Sequence, residues 1–425
     1  VVLLAALSIL PAAGQSSLQA SGSRNVKSFG AVCDGSHDDT KAIQDALAAN
    51  RSKTGTETGP VVKVIIPDNC VSGPLAIGSR QWVEFEEGAT LHALRGAFPG
   101  ETVPFFAVSG QHEVTIKGNH ATLEMNRDEY TSGEWRAGVY IYQSKNVHID
   151  GLKVSGAGGD GFTIKGAVPP ENIELVDVAA DRCTRNGISI ISGRNITIMR
   201  ATLTNTSQNG RGSGTKGPWA GLDVEPNGTG EVLENIVMDG LQTSFNAGPG
   251  LQFVIYGVPG PVTIRVSNLH SDHDGARDMG GGFYYGGIMF GTLGAQPATP
   301  LQGQILIEGS TIEHPNGSGV LWRNWSANEP KTVIRNMRIH NPGAQTGNMN
   351  RCGLYYNVRD SSFGNRYTPG THLNVEVDGL VVRDDNNRLV RAVWFEGDAA
   401  HPLQATVNNV QEEGNPTPRV QVKLR

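Results

Sequence analysis

In GFTIKGAVPPENIELVDVAADRCTRNGISIISGRNITIMRATL, residues 161–203, two short runs led by glycine (GFTIK, GISII) take turns with two led by asparagine (NIELV, NITIM). Each run alternates apolar and polar residues, the period of a β-strand with one buried face. The stretch is thus one unit written twice. Outward from it the asparagine-led run recurs as NVHIDGLKV from Asn146 and NIVMDGLQT from Asn235, and in looser form down to LQATVNNVQ. The glycine-led run recurs at Gly138, Gly221, Gly250, Gly287, Gly319 and Gly353. Starting points roughly 23 to 40 residues apart mark a solenoid, in which each unit buries its apolar face by stacking on the next. The expected fold is all-β: a single-stranded right-handed parallel β-helix with an N-terminal capping helix.

Aligning the units on glycine makes columns, because successive coils stack about 4.8 Å apart. The residue one past glycine is Val139, Phe162, Ile188, Leu222, Leu251, Ile288, Val320 and Leu354, a core column. Two past glycine it is Tyr140, Thr163, Ser189, Asp223, Gln252, Met289, Leu321 and Tyr355; four past, it includes Tyr142, Lys165, Glu225 and Arg323. Both of these columns are expected to face outward, with Asp223 and Glu225 about 6.6 Å apart on an ideal strand. Trp322, three past glycine, is expected in the core.

The cap is read from NVKSFGAVCDGSHDDTKAIQDALAAN (25–50). Ile43 and Leu47 stand one helical turn apart, and Ser36 with Asp39 fits a capping box, so a helix is expected over 38–49, shielding the first strand edge. VVKVIIP (61–67) reads as a strand ended by Pro67.

The chain has 425 residues, 38% hydrophobic and 18% charged, with 55 glycines and a formal net charge of −6. Such mild acidity gives no electrostatic case for nucleic acid, although local charge governs a groove. VVLLAALSILPAAGQSS (1–17) is an apolar run followed by small residues; it reads as the remnant of a secretory signal and is too short for a membrane anchor. The expectation is a secreted or periplasmic monomer with no membrane partner. One β-helix is expected over 22–425, its cap over 22–54. Cys33, Cys70, Cys183 and Cys352 match no zinc spacing; a Cys33–Cys70 bridge and free buried thiols are both open.

The segment 25–50 followed by a strand resembles the N-terminal signature of the pectate-lyase-like, glycoside-hydrolase-family-28-related β-helix superfamily. The resemblance implies a polysaccharide substrate and a hydrolase, lyase or epimerase with its groove on the outward face of one strand stack. It is specific for fold rather than reaction. Of the polygalacturonase pattern, GGDGFTI keeps Asp160, whereas TRNGISI sets Arg185 and Asn186 where the family has an Asp pair. Gly-His-Gly and Arg-Ile-Lys are missing at the expected distance, as is the Asp-Pro-His-Glu signature of mannuronan epimerases.

Hydrolysis of a glycosidic bond needs two carboxyls, and Asp223 with Glu225 supplies a close pair, Asp160 a third acid. Lys165, Arg182 and Arg185 gather near them and suit an acidic, uronic-acid-containing polysaccharide. The primary expectation is therefore a glycoside hydrolase without cofactor. The alternative is a lyase or related epimerase: elimination from a uronic acid needs its carboxylate neutralised by Ca²⁺ or Arg and a base near C5. Asp160, Asp223 and Glu225 suit calcium, while Lys165, Arg185 or a tyrosine could move the proton. A glycan-binding β-helix without activity is a third class.

Tyr142, Arg182, Trp219, His273, Tyr284 and Arg323 are expected to contact substrate. Trp219 either stacks on a sugar or pins its long loop to the scaffold. His273, in NLHSDHDGARDMGGGFYYGG (268–287), is expected to line the groove or to hold a cation. Arg323, three coils from Glu225 and about 14 Å away, suits a distal subsite.

Overall fold

In the computed structural model the described residues are 20–49, 61–131, 133–207, 217–255, 257–277, 285–291, 297–344, 351–358, 369–414 and 422–424. The expected signal segment, 1–17, and Tyr284 lie outside them. Among the described residues, one parallel sheet has 22 strands and a second has twelve. Most coils lay a long and a short strand on the larger sheet and one strand on the smaller; in the last coils, from Lys331–His340 on, the long and short strands are merged into one.

The glycine columns are the real register. Val139 pairs with Phe162, Phe162 with Ile188, Ile188 with Leu222 and Leu222 with Leu251, and the ladder continues through Ile288 and Val320 to Leu354. A slip of one residue would turn every core side chain to the outside, and none occurs in this column. Leu222 and Val224 join one continuous apolar core that runs from the cap to Phe395. Trp322 lies in that core, its ring stacked 5.2 Å from Phe290.

The glycines lead their strands because the coils approach there too closely for a side chain. A Cβ on Gly221 would meet the carbonyl oxygen of Gly250 at 2.6 Å, and one on Gly187 would meet that of Gly221 at 2.6 Å.

The capping helix spans Thr40–Ala48 and buries Ile43, Ala46 and Leu47 against the first coils. A strand not foreseen in the sequence, Ala20–Asn25, precedes it and pairs with Val61–Ile66. The capping box is not formed. Asp38 accepts the Thr40 amide at 3.0 Å, Ser36 is bonded to Asp34, and the fully buried Asp39 carboxylate accepts the amides of Val32 and Val71 at 2.7 and 3.1 Å. Asp39 thus ties the cap loop to the first coil instead of closing the helix. Cys33 and Cys70 are joined as a disulfide, whereas Cys183 and Cys352 are buried thiols outside any disulfide. Cys33, Asp39 and Cys70 place three metal-type donors together, but both sulfurs are consumed by the bond, so the group acts as a staple.

Candidate active site

The outward face of the smaller sheet carries the acids, as strand alternation requires. Asp223, between the core residues Leu222 and Val224, is in register with Ser189 before it and Gln252 after it. It is not solvated, contrary to the expectation of an open outward face: its exposure is 0%. The Asn186 amide donates to Asp223 Oδ2 at 3.2 Å and the Gln252 amide to Oδ1 at 3.1 Å. Glu225 is nearly covered too and lies beside Asp223, close enough for each carboxyl to shift the other's proton affinity. Burial, then the neighbouring Glu225 charge, pushes the Asp223 pKa well above the usual carboxylate range. Burial also raises Glu225, with Arg185 opposing it.

Arg185 organises the cluster from the turn before Gly187. Its guanidinium lies 3.2 Å from Asp160, 3.2 Å from Glu225 and 4.0 Å from Asp223. Burial alone would weaken its charge; Asp160, Asp223 and Glu225 outweigh that and hold it above its ordinary pKa. Asp160 is fastened further by the Thr163 hydroxyl at 3.1 Å and the Asn186 amide at 3.1 Å. The three acids expected to act together are thus brought together, by a cation that sits where a calcium ion would have to be. Three carboxylates already committed to a guanidinium do not fit Ca²⁺, which takes six to eight oxygen ligands.

Lys165 is in register with Tyr142. Its Nζ stands 3.5 Å above the Trp135 ring, and Arg185 lies 5.9 Å from the same ring. The ring face favours the ammonium form, yet burial is the larger effect and lowers the Lys165 pKa. Tyr140 and Tyr142 are stacked with ring centres 5.8 Å apart, and burial pushes the Tyr140 phenol up to about 12.

Other expected residues are placed differently. Arg182 is not at the acid cluster: its guanidinium takes Glu124 at 3.0 Å and the Ser155 hydroxyl at 2.7 Å along the larger sheet. The reason is its backbone, at φ 54°, which turns it away from Arg185 only three residues on. His273 also belongs to the larger sheet's corner, stacked between Phe245 and His314. Trp219 has Arg277 over its ring at 3.7 Å, and its carbonyl accepts the Gly248 amide at 2.8 Å, which supports the pinning role. Arg323 lies half-buried on the outward face, three strands beyond Asp223; burial raises the Tyr285 phenol, and Arg323 opposes that only in part.

Trp135, Gln252 and Tyr285 complete the surroundings. Tyr285 lies within electrostatic reach of both Asp223 and Glu225. Gln252 Oε1 is buried without a hydrogen-bond partner among the described residues. The sequence signal for Trp135 was its place three residues before Gly138, in the same pre-glycine turn that supplies Arg185 and Trp219.

Residues 105–285 match the description of a right-handed β-helix region, and residues 23–62 that of rhamnogalacturonase A/epimerase, pectate lyase-like. The fold is a right-handed parallel β-helix. It is related to the folds of pectate-lyase, epimerase and family-28 glycoside-hydrolase-like carbohydrate-active proteins. In sequence the chain is similar to the uncharacterized protein YclG of Bacillus subtilis, 30% identical over 141 residues, a match covering 30% of this chain and 24% of that protein's length. Among solved structures it is similar to the A-module of the mannuronan C-5 epimerase AlgE6 of Azotobacter vinelandii (TM-score 0.56, 16% identity, 91% and 94% of the two chains). It is also similar to an exopolygalacturonase of Thermotoga maritima (0.55, 11%, 92% and 92%) and to PfbA, a surface adhesin of Streptococcus pneumoniae (0.50, 14%, 92% and 90%). At these identities the likeness is one of fold.

Proposed function

We propose that the protein is a carbohydrate-active enzyme acting on an acidic polysaccharide, and that its reaction begins by removing the C5 proton of a uronic acid unit, as in elimination or epimerisation. The observation that carries this reading is the closed carboxyl pair. Hydrolysis places two carboxyls about 5–5.5 Å apart for direct attack, or about 6.5–9.5 Å apart with water between. Here Asp223 is fully buried and Glu225 is held by Arg185 at 3.2 Å, so neither carboxyl is open to attack carbon or to activate water, and hydrolysis stands second.

Lys165 is the base in this reading. Its lowered pKa makes the neutral amine more available. The amine takes the C5 proton and becomes an ammonium, while the C5–H electron pair passes into the neighbouring carboxyl group of the sugar. The charge added there is met by the Lys165 ammonium formed in the same step and by the edge of Arg185 that stays exposed. If the C4–O bond then breaks, the departing oxygen takes a proton and an unsaturated end remains. If C5 is instead reprotonated from the other face, the sugar is inverted. Tyr142, in register with Lys165, and the protonated Tyr140 stacked beside it in the neighbouring column are the donors at hand. Arg277 and Arg323 extend positive charge along the acid-bearing face, which suits an anionic polymer. A secreted or periplasmic location belongs to the same proposal and rests on the apolar start and the disulfide.

Product analysis on a panel of uronic-acid and neutral polysaccharides tests it. Ultraviolet-absorbing unsaturated ends, or inverted C5 centres by NMR, are expected on a uronic-acid polymer. Reducing ends without either would return the hydrolase, and binding without turnover on any polymer would make this a glycan-binding β-helix.

A further inference from the structure

We infer that a corner of the larger sheet, apart from the acid cluster, binds a divalent transition metal of the zinc type through Asp272, His273 and His314. Nδ1 of His273 lies 2.7 Å and Nδ1 of His314 lies 3.0 Å from one and the same oxygen, Oδ1 of Asp272. All three donor atoms lie within 4.8 Å of one another. They come from two successive coils whose strands, His270–Asp272 and Thr311–Glu313, are locked in register, so the scaffold rather than a loop sets their spacing. The side chains are between 27% and 43% exposed, which leaves an entry path and room for water as a fourth ligand.

The rings are held in place from both sides. Phe245 stacks on His273 at 5.0 Å, His273 on His314 at 4.7 Å, and His340 lies 5.3 Å beyond. Four of the chain's 11 histidines (His270, His273, His314 and His340) occupy three consecutive coils at this corner. Two imidazole nitrogens with one carboxylate oxygen suit zinc, cobalt or nickel, whereas calcium prefers oxygen alone. Tetrahedral ligands with bonds of about 2.0–2.1 Å stand roughly 3.3 Å apart. The two hydrogen-bonded separations therefore open by about half an ångström as the rings turn about their own torsions. Without metal each Nδ1 donates its proton to Asp272 Oδ1; on binding, that proton leaves Nδ1 and each ring takes one on Nε2 through water, so that the Nδ1 lone pairs reach the metal and both imidazoles stay neutral.

The test uses the full chain after dialysis against a chelator. Titration with Co²⁺, followed by its visible tetrahedral bands and by displacement with Zn²⁺, is expected to give one equivalent with micromolar or tighter affinity. Asp272→Asn, His273→Gln and His314→Gln are each expected to weaken binding by at least about tenfold while melting normally without metal, since all three are surface residues. His120→Gln, in an exposed pair with Glu87, is expected to leave binding unchanged. Binding that is absent at millimolar Co²⁺, that survives His273→Gln combined with His314→Gln, or that falls equally in His120→Gln overturns the inference.

Discussion

Asp223 carries an ionisable group where a charge is poorly supported. In the folded chain it keeps its proton well above the ordinary carboxylate pKa, while in the unfolded chain it would release it there. The stability linked to that proton is fully present below the unfolded pKa and is lost as pH rises toward the folded one. Asp223→Asn removes the penalty. Its stability relative to the parent is therefore expected to improve as pH rises above the ordinary carboxylate range in urea unfolding, while activity falls. Arg185→Ala strands the carboxylates instead and is expected to lose about 3–5 kcal/mol in the same measurement. For Lys165 the sign is opposite: its pKa is lowered, so the neutral base grows as pH rises through that value, and kcat/KM should rise with it. Lys165→Arg keeps the charge but cannot give up its proton; a loss of about a hundredfold or more is expected, whereas near-full activity would assign Lys165 to binding alone. At this scale the columns named Lys165, Asp223 and Glu225, and the family pattern before the glycines named Asp160 and Arg185. The sequence could not show their state, because Asp223 is covered by Asn186 and Gln252, 37 and 29 residues away in the chain, as well as by Glu225 beside it. Nor could it separate Arg182 from Arg185, whose different directions follow from one left-handed backbone turn.

The strand is the element whose rules were legible. Alternation and the glycine positions gave a register that holds from Val139 to Leu354, because a two-residue period leaves no intermediate choice once one face is buried. The reason for glycine was hidden until the coils were stacked. Gly221→Ala drives its Cβ to 2.6 Å from the Gly250 carbonyl oxygen, and backbone cannot yield there without shifting two coils. An expected loss of about 1–3 kcal/mol, with a lower melting temperature and weaker activity at the adjacent Asp223, is checked by thermal unfolding beside an assay. The capping box failed for a related reason. Ser36 and Asp39 have the correct spacing, but Asp39 finds stronger employment on the amides of Val32 and Val71, the latter 32 residues away. Local spacing cannot anticipate a competitor that arrives through the fold.

For the whole molecule, stacking turns a one-dimensional repeat into a continuous face along which acids, cations and aromatic rings fall into columns. A polymer laid along that face would pass Lys165 and Tyr142 before the acid pair and reach Arg323 three coils later. The same fold serves an epimerase, a polygalacturonase and an adhesin among its structural relatives, so the reaction must be argued from this face alone. The central claim is that a C5–H bond breaks. Comparing kcat/KM on a uronic-acid polymer carrying hydrogen or deuterium at C5 tests it most directly. A slower reaction on the deuterated polymer, abolished together with turnover in Lys165→Arg, is the predicted result; equal rates on both polymers, with new reducing ends and no unsaturated or inverted units, would contradict it.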